Sequence, residues 1–326
     1  MMPDYILSLA DARATLEHVG GKGASLARLA NAGLPVPDGF YVTTAAYNQF
    51  VAENNLQPGL LAALAAVDAS RPATLETASR AIHDLFIQAT MPQDVADAIA
   101  RAYATLGNLQ SPIPNTQLAV AVRSSATAED LPDLSFAGQQ ETFLNIHGVE
   151  AVQDAVKRCW ASLWTARAIG YRAQHHIDHN AVSLAVVVQQ LVFADAAGIL
   201  FTANPITGQR DQAMLTATWG LGEAIVGGLV TPDTLIVDKA TGRVLTRDTA
   251  DKQVMTVRLA SGTEEQPVPE AERRAPVLDD DQAAELTRLG TLIEHLYQMP
   301  MDIEWTLAGN KFAIVQARPI TALPQL

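Results

Sequence analysis

The chain has 326 residues, about two domains' worth by the usual length prior, of which 48% are hydrophobic and 17% charged. That composition supplies a sizeable core and excludes a disordered chain, and the single cysteine, Cys159, excludes an internal disulfide or a thiolate-held metal centre. With 35 Asp and Glu against 22 Lys and Arg the net charge is −13, which repels a polyanion and argues against nucleic acid as a partner. A few clustered cations in a cleft still suit a small anion, because distant carboxylates are screened beyond roughly 8–10 Å.

The N-terminus has no basic n-region and meets an acid at Asp4, so no secretory signal is expected. Its first chemical feature is Val19-Gly20-Gly21-Lys22-Gly23-Ala24-Ser25-Leu26, three glycines around a lysine, after which Leu26 and Leu29 start a helix that Gly33 ends. Phe40 to Thr44 reads as a strand, with Thr44 capping a helix from Ala45 to Glu53. Leu60 to Leu106 is helical with breaks near Pro72 and Pro92. Leu118 to Val122 is a buried strand that delivers Arg123 at its C-terminal end, and a polar loop follows as far as Thr142.

Val149 to His176 carries the apolar spacing of one long helix. Leu184 to Val192 and Ile199 to Thr202 read as adjacent strands; Gln189, Gln190 and Asp195 interrupt this apolar stretch and exclude a membrane span. Ala213 to Trp219 is a strand, Gly220 opens a glycine-rich stretch running to Gly228, and Leu235 to Leu245 has a hairpin signature. Ser261 to Pro276 lacks periodicity and reads as a mobile excursion. A helix from Asp280 to Leu296 leads into two strands, Met301 to Leu307 and Lys311 to Ala317, turning at Gly309. The expected location is cytoplasmic, with no membrane partner.

Known phosphate signatures fail. Lys22 is followed by Gly23 rather than Ser or Thr, so it is not a P-loop, and Ile225 stands where a dinucleotide fingerprint after Gly220 and Gly222 needs its third glycine. The last two strands do carry a site. Asp302-Ile303-Glu304-Trp305 projects both carboxylates from one face, and Gln316 and Arg318 share a face of the partner strand, with Glu304 roughly opposite Gln316. Carboxylate and amide oxygens are hard ligands suited to Mg²⁺, and a guanidinium fork matches phosphate. Nucleotide-dependent phosphoryl transfer needs this kind of positioning and charge neutralisation. Blander readings stand beside it: a surface lysine in a turn, Arg123 paired with Glu129 or Asp130, and a solvated acidic strand face. His175 and His179 share a helix face but lack a third ligand, so a solvated helix end is the better reading.

The chain resembles the ATP-binding domain shared by phosphoenolpyruvate synthase, pyruvate phosphate dikinase and rifampicin phosphotransferase. The resemblance rests on the Gly20–Leu26 run, Val122-Arg123-Ser124-Ser125-Ala126-Thr127-Ala128-Glu129-Asp130, Ser135-Phe136-Ala137-Gly138-Gln139, and Gly198 to Pro205. It continues in Gly220-Leu221-Gly222-Glu223, Asp302 to Trp305 and Gln316-Ala317-Arg318-Pro319-Ile320, covering nearly the whole chain in family order. It implies an α/β (α+β) ATP-grasp fold, with an N-terminal lobe over 1–185 and a C-terminal lobe over 186–326 whose mixed or antiparallel sheets clasp the nucleotide.

The implied roles follow residue by residue. Lys22 contacts phosphate, Arg123 and Arg318 are the catalytic arginines, and Gly138 and Thr142 belong to the loop covering the phosphates. Gln189 and Leu191 border the adenine. Glu304 and Gln316 hold Mg²⁺ and ATP, with Asp302 as a third ligand or a group behind them. In the family the phosphoryl or pyrophosphoryl group passes to a histidine on a swivelling domain. None of His18, His83, His147, His175, His176, His179 and His295 follows Ser, Thr or Cys. The expectation is therefore a phosphotransferase ATP module whose histidine and acceptor domains lie elsewhere, the alternative being a non-catalytic ATP sensor or scaffold.

Overall fold

The computed structural model describes residues 4–110, 118–127, 141–179, 182–222, 228, 230–321 and 323–324. The chain divides into two compact units, residues 1–27 with 38–191 and residues 28–37 with 192–326. The expected boundary at 185/186 falls within a central strand of the first unit. Residues 28–37 count with the second unit because the Arg28 guanidinium donates to the Leu296 carbonyl (2.5 Å) and Ile314 N–H to the Pro35 carbonyl (2.8 Å).

In the first unit, strands β1 (Ile6–Ser8), β2 (Gly39–Val42), β3 (Ala119–Ala126), β4 (Thr142–His147) and β5 (Leu184–Gln190) form an antiparallel sheet in the order β1-β2-β5-β3-β4. The run Leu-Ala-Val-Val-Val-Gln is buried throughout, as a central strand covered on both faces requires. Arg123 is not the end of its strand: β3 continues through Ser124, Ser125 and Ala126, paired with Val186, Ala185 and Leu184.

Among the described residues, seven helices stand before β5: α1 (Leu16–Asn31), α2 (Thr44–Glu53), α3 (Gln57–Leu64), α4 (Pro72–Gln88), α5 (Gln93–Gln110), α6 (Val149–Ser162) and α7 (Ala166–Gln174). Thr43, not Thr44, stands at the N-cap of α2, and the Thr44 hydroxyl donates to the Glu17 carbonyl. The expected single helix from Val149 to His176 is two, because the Thr165 hydroxyl accepts from Ala168 N–H and restarts the chain as a new helix. Val120, Val122, Val186 and Val188 pack one sheet face into a core with Phe50, Phe86 and Trp160, where the Phe50 and Trp160 centroids are 5.0 Å apart.

In the second unit, β6 (Ala196–Phe201), β7 (Gln212–Trp219), β8 (Asp233–Asp238) and β9 (Val244–Asp248) precede the separate hairpin of β10 (Val254–Arg258) and β11 (Thr263–Pro267). The short helix α8 (Glu270–Arg273) and α9 (Asp280–Tyr297) lead to β12 (Met301–Ala308) and β13 (Lys311–Pro319). The antiparallel sheet order is β13-β12-β6-β7-β8-β9. So β5 and β6, expected as neighbours, belong to different sheets, and the expected excursion over 261–276 contains β11 and α8.

A capping box between Asp279 and Gln282 starts α9, which covers the face bearing Leu200 and Ile303. A β-carbon on Gly290 would lie 2.3 Å from Leu200 Cδ2, so a larger residue there requires the Leu200 side chain to move. Lys252 and Asp233 form a fully buried ion pair at 2.6 Å, and Asp233 also accepts from Ala250 and Val277 N–H. No helix among the described residues is long and apolar enough to cross a membrane.

Candidate functional site

The glycine-lysine run lies inside a helix rather than ahead of one. Helix α1 breaks at Gly20 (φ 72°, ψ 176°), so a second helical segment starts there with Lys22 in its first turn. A β-carbon on Gly20 would sit 2.3 Å from the Ser125 carbonyl oxygen, which makes glycine obligatory at this contact. The Ser125 hydroxyl donates to the Val19 carbonyl (2.7 Å) and accepts from Gly23 N–H (3.0 Å), and Lys22 Nζ donates to the Ser124 carbonyl (3.3 Å). The helix start is thereby fastened to β3 immediately beyond Arg123.

Lys22 and Arg123 are both 8% exposed. Backbone N–H groups at a helix N-terminus favour negative charge, and two cations beside them add to that preference. Arg123 lies opposite Thr142 on β4 and Val187 on β5, and Gln189 lies opposite Ala121. Arg123, Thr142 and Gln189 therefore share one sheet face. Leu191 packs against Ala119 and Ala121 on that face, while Thr142 is exposed. Gly138 lies outside the described residues, as do Glu129, Asp130 and Glu223. Gly20 and Ser125 stand in runs the sequence reading singled out, but the contact joining them escapes it, since its partners are far apart in the chain.

In the second unit the strand register gathers the other expected residues. Asp302 is opposite Arg318 and Glu304 is opposite Gln316. From the turn, where Leu307 faces Phe312, simple counting would put Glu304 opposite Val315; a bulge after Glu304 shifts the pairing by one and restores Gln316. Ile303 and Trp305 point to the α9 side, where Trp305 meets Phe312 edge-on at 5.6 Å, leaving Asp302 and Glu304 on the opposite face. Arg318 Nε donates to Asp302 Oδ2 at 2.9 Å. Burial pushes the Asp302 carboxyl above its usual range, and the Arg318 guanidinium pulls against that shift. Glu304 and Gln316 are partly buried, whereas the Arg318 side chain is 51% exposed.

An opposed carboxylate and amide oxygen, backed by an acid–guanidinium pair, fit a hard divalent cation that keeps water and phosphate as its other ligands. Among the described residues no three His, Cys, Asp or Glu side chains come together as a metal cluster. His175 and His179 do not share a helix face, because α7 ends at Gln174. His175 and His176 are exposed, but His179 is half-buried and its Nδ1 accepts from Arg172 Nε.

Each unit layers helices on an antiparallel sheet, an α/β arrangement consistent with an ATP-grasp-like nucleotide-binding domain. Residues 16–326 match the family described as pyruvate phosphate dikinase, AMP/ATP-binding domain, and the chain belongs to that family. It is 45% identical over 304 residues to a probable phosphoenolpyruvate synthase of Methanothermobacter thermautotrophicus, covering 93% of this chain and 44% of the relative. It is 46% identical over 312 residues to a rifampicin phosphotransferase of a Streptomyces species, covering 95% of this chain and 35% of the relative. The chain thus spans less than half the length of these relatives.

Proposed function

We propose that the chain binds Mg²⁺–ATP and passes a phosphoryl or pyrophosphoryl group to a histidine on another domain or chain. The observation that carries this reading is the β12/β13 register, which sets Glu304 against Gln316 beside the Asp302–Arg318 pair. Family membership and relatives named phosphoenolpyruvate synthase and rifampicin phosphotransferase support it.

In the first unit, Lys22 and Arg123 hold phosphate oxygens, Thr142 at the start of β4 and Gly138 add contacts to the phosphates, and Gln189 and Leu191 border the base. In the second, Glu304 and Gln316 hold the metal. Asp302 serves as the group that aims Arg318 rather than as a ligand, since its carboxylate is engaged by that guanidinium. Bound there, Mg²⁺ supplies neutralisation of phosphate charge. Arg123 and Arg318 stabilise charge developing on the transferring oxygens without reorganising at the moment of reaction. For pyrophosphoryl transfer the imidazole nitrogen attacks the β-phosphorus, the bond from that phosphorus to the α–β bridging oxygen breaks, and AMP leaves.

The test adds a histidine domain from one of the relatives to this chain with Mg²⁺ and ATP labelled on the β-phosphate. AMP release with label on the histidine is expected, and Arg123→Ala should abolish it. ATP binding without any transfer would instead make the chain a nucleotide sensor or scaffold.

A further inference from the structure

In an α-helix each backbone N–H donates to the carbonyl four residues back, which in α1 would pair Gly23 N–H with the Val19 carbonyl. Gly20, with φ 72° and ψ 176°, lies between them outside helical geometry, so this rung is broken. The Ser125 hydroxyl of β3 bridges the two groups, accepting from Gly23 N–H at 3.0 Å and donating to the Val19 carbonyl at 2.7 Å. A hydroxyl carries one donor and two acceptor lone pairs, so this single oxygen completes both halves of the rung. A β-carbon at Gly20 would lie 2.4 Å from Ser125 Oγ, so the glycine also leaves room for the inserted group.

The place of this bridge gives it a use beyond holding the fold. Gly23 follows Lys22 in the chain, and Ser125 stands two residues beyond Arg123 on the same face of β3. Lys22 Nζ donates to the Ser124 carbonyl at 3.3 Å. The bridge therefore ties the backbone beside one proposed phosphate cation to the strand that carries the other. A lysine stem is flexible, so the reach of its ammonium depends on where its backbone is held. Val19, Gly23 and Ser125 are all buried, so removing the hydroxyl strands a buried donor and a buried acceptor.

We propose that Ser125 is a positioning residue for nucleotide binding: its hydroxyl, set into the broken turn of α1, holds Lys22 where it meets a phosphate oxygen. This role rests on Lys22 holding phosphate, as proposed above, and Ser125 acts through that lysine rather than by touching the nucleotide.

ATP and adenosine, which lacks the phosphates, are titrated by calorimetry into the full chain as wild type, Ser125→Ala, Lys22→Ala and the double variant. Ser125→Ala is expected to weaken ATP binding about fivefold or more, the scale of a lost hydrogen bond, and to change adenosine binding less than about twofold. In the Lys22→Ala background the same substitution should cost ATP less than about twofold, because the group it positions is gone. Ser125→Cys keeps the shape of the side chain with a weaker donor and acceptor; it should reproduce the ATP loss, and it carries the test if Ser125→Ala does not fold. Wild-type ATP affinity in the folded Ser125 variants, an equal loss in both backgrounds, or a matching loss for adenosine would overturn the proposal while leaving Lys22 as a phosphate contact. An ATP affinity unchanged in Lys22→Ala would instead overturn the reading of Lys22, and this role of Ser125 with it.

Discussion

Single residues set the geometry around Lys22 and Arg123 in the first unit. Gly20 has a backbone conformation that essentially only glycine adopts and abuts the Ser125 carbonyl. Gly20→Ala should therefore destabilise the chain by about 1–3 kcal/mol from backbone strain alone, with more from the contact, measured by denaturant unfolding. Lys22→Ala should weaken ATP binding, measured by calorimetry, at least about tenfold, as loss of a charge-assisted phosphate contact implies. Lys22 and Arg123 were singled out in the sequence by the family motifs they stand in, since a lysine among glycines reads by itself equally well as a surface residue in a turn. The sequence could not show Ser125 as their fastener, since hydrogen bonds joining Val19 and Gly23 to a distant strand leave no local pattern.

At the scale of elements, the β12/β13 pair was legible because alternation fixes which side chains share a face and the Ala308–Gly309–Asn310 turn fixes the approximate register. The bulge was not, although it decides whether Glu304 meets Val315 or Gln316. Neighbouring strands in sequence usually pair, which is why β5 and β6 were expected together; β5 instead lies between β2 and β3. The β8–β9 turn offers a test by pH. Hydrogen bonds from the Thr241 hydroxyl and N–H hold the Asp238 carboxyl below its ordinary value. Its stabilising contribution is present above that ordinary value and is lost as pH falls through the lower folded value. The melting-temperature gap between wild type and Asp238→Asn should therefore be open at neutral pH and close in acid; a gap that widens in acid contradicts the assignment. The Lys252–Asp233 pair fastens β8 to the chain entering β10. Lys252→Ala should cost about 3–5 kcal/mol, because it strands a buried carboxylate, and urea unfolding measures it.

For the whole molecule, the proposed function assigns each unit its own group of residues, held on that unit's own sheet. Lys22 and Arg123 of the first stand at a helix start pinned to β3; Glu304 and Gln316 of the second stand on paired strands backed by α9. That division follows from physics, since a metal ligand set and a buried cation set are each easier to hold within one sheet than to assemble from loops. The fold class was readable from motif order along the chain, whereas the assignment of residues 28–37 to the second unit depended on hydrogen bonds to Leu296 and Ile314. The most direct measurement is calorimetric titration of ATP with and without Mg²⁺ on wild type, Glu304→Gln and Arg318→Ala. Tighter binding with Mg²⁺ in wild type is predicted, with that gain reduced in Glu304→Gln and affinity lowered in Arg318→Ala by about 1.5–3 kcal/mol. ATP binding indifferent to the metal and to both substitutions would contradict the account.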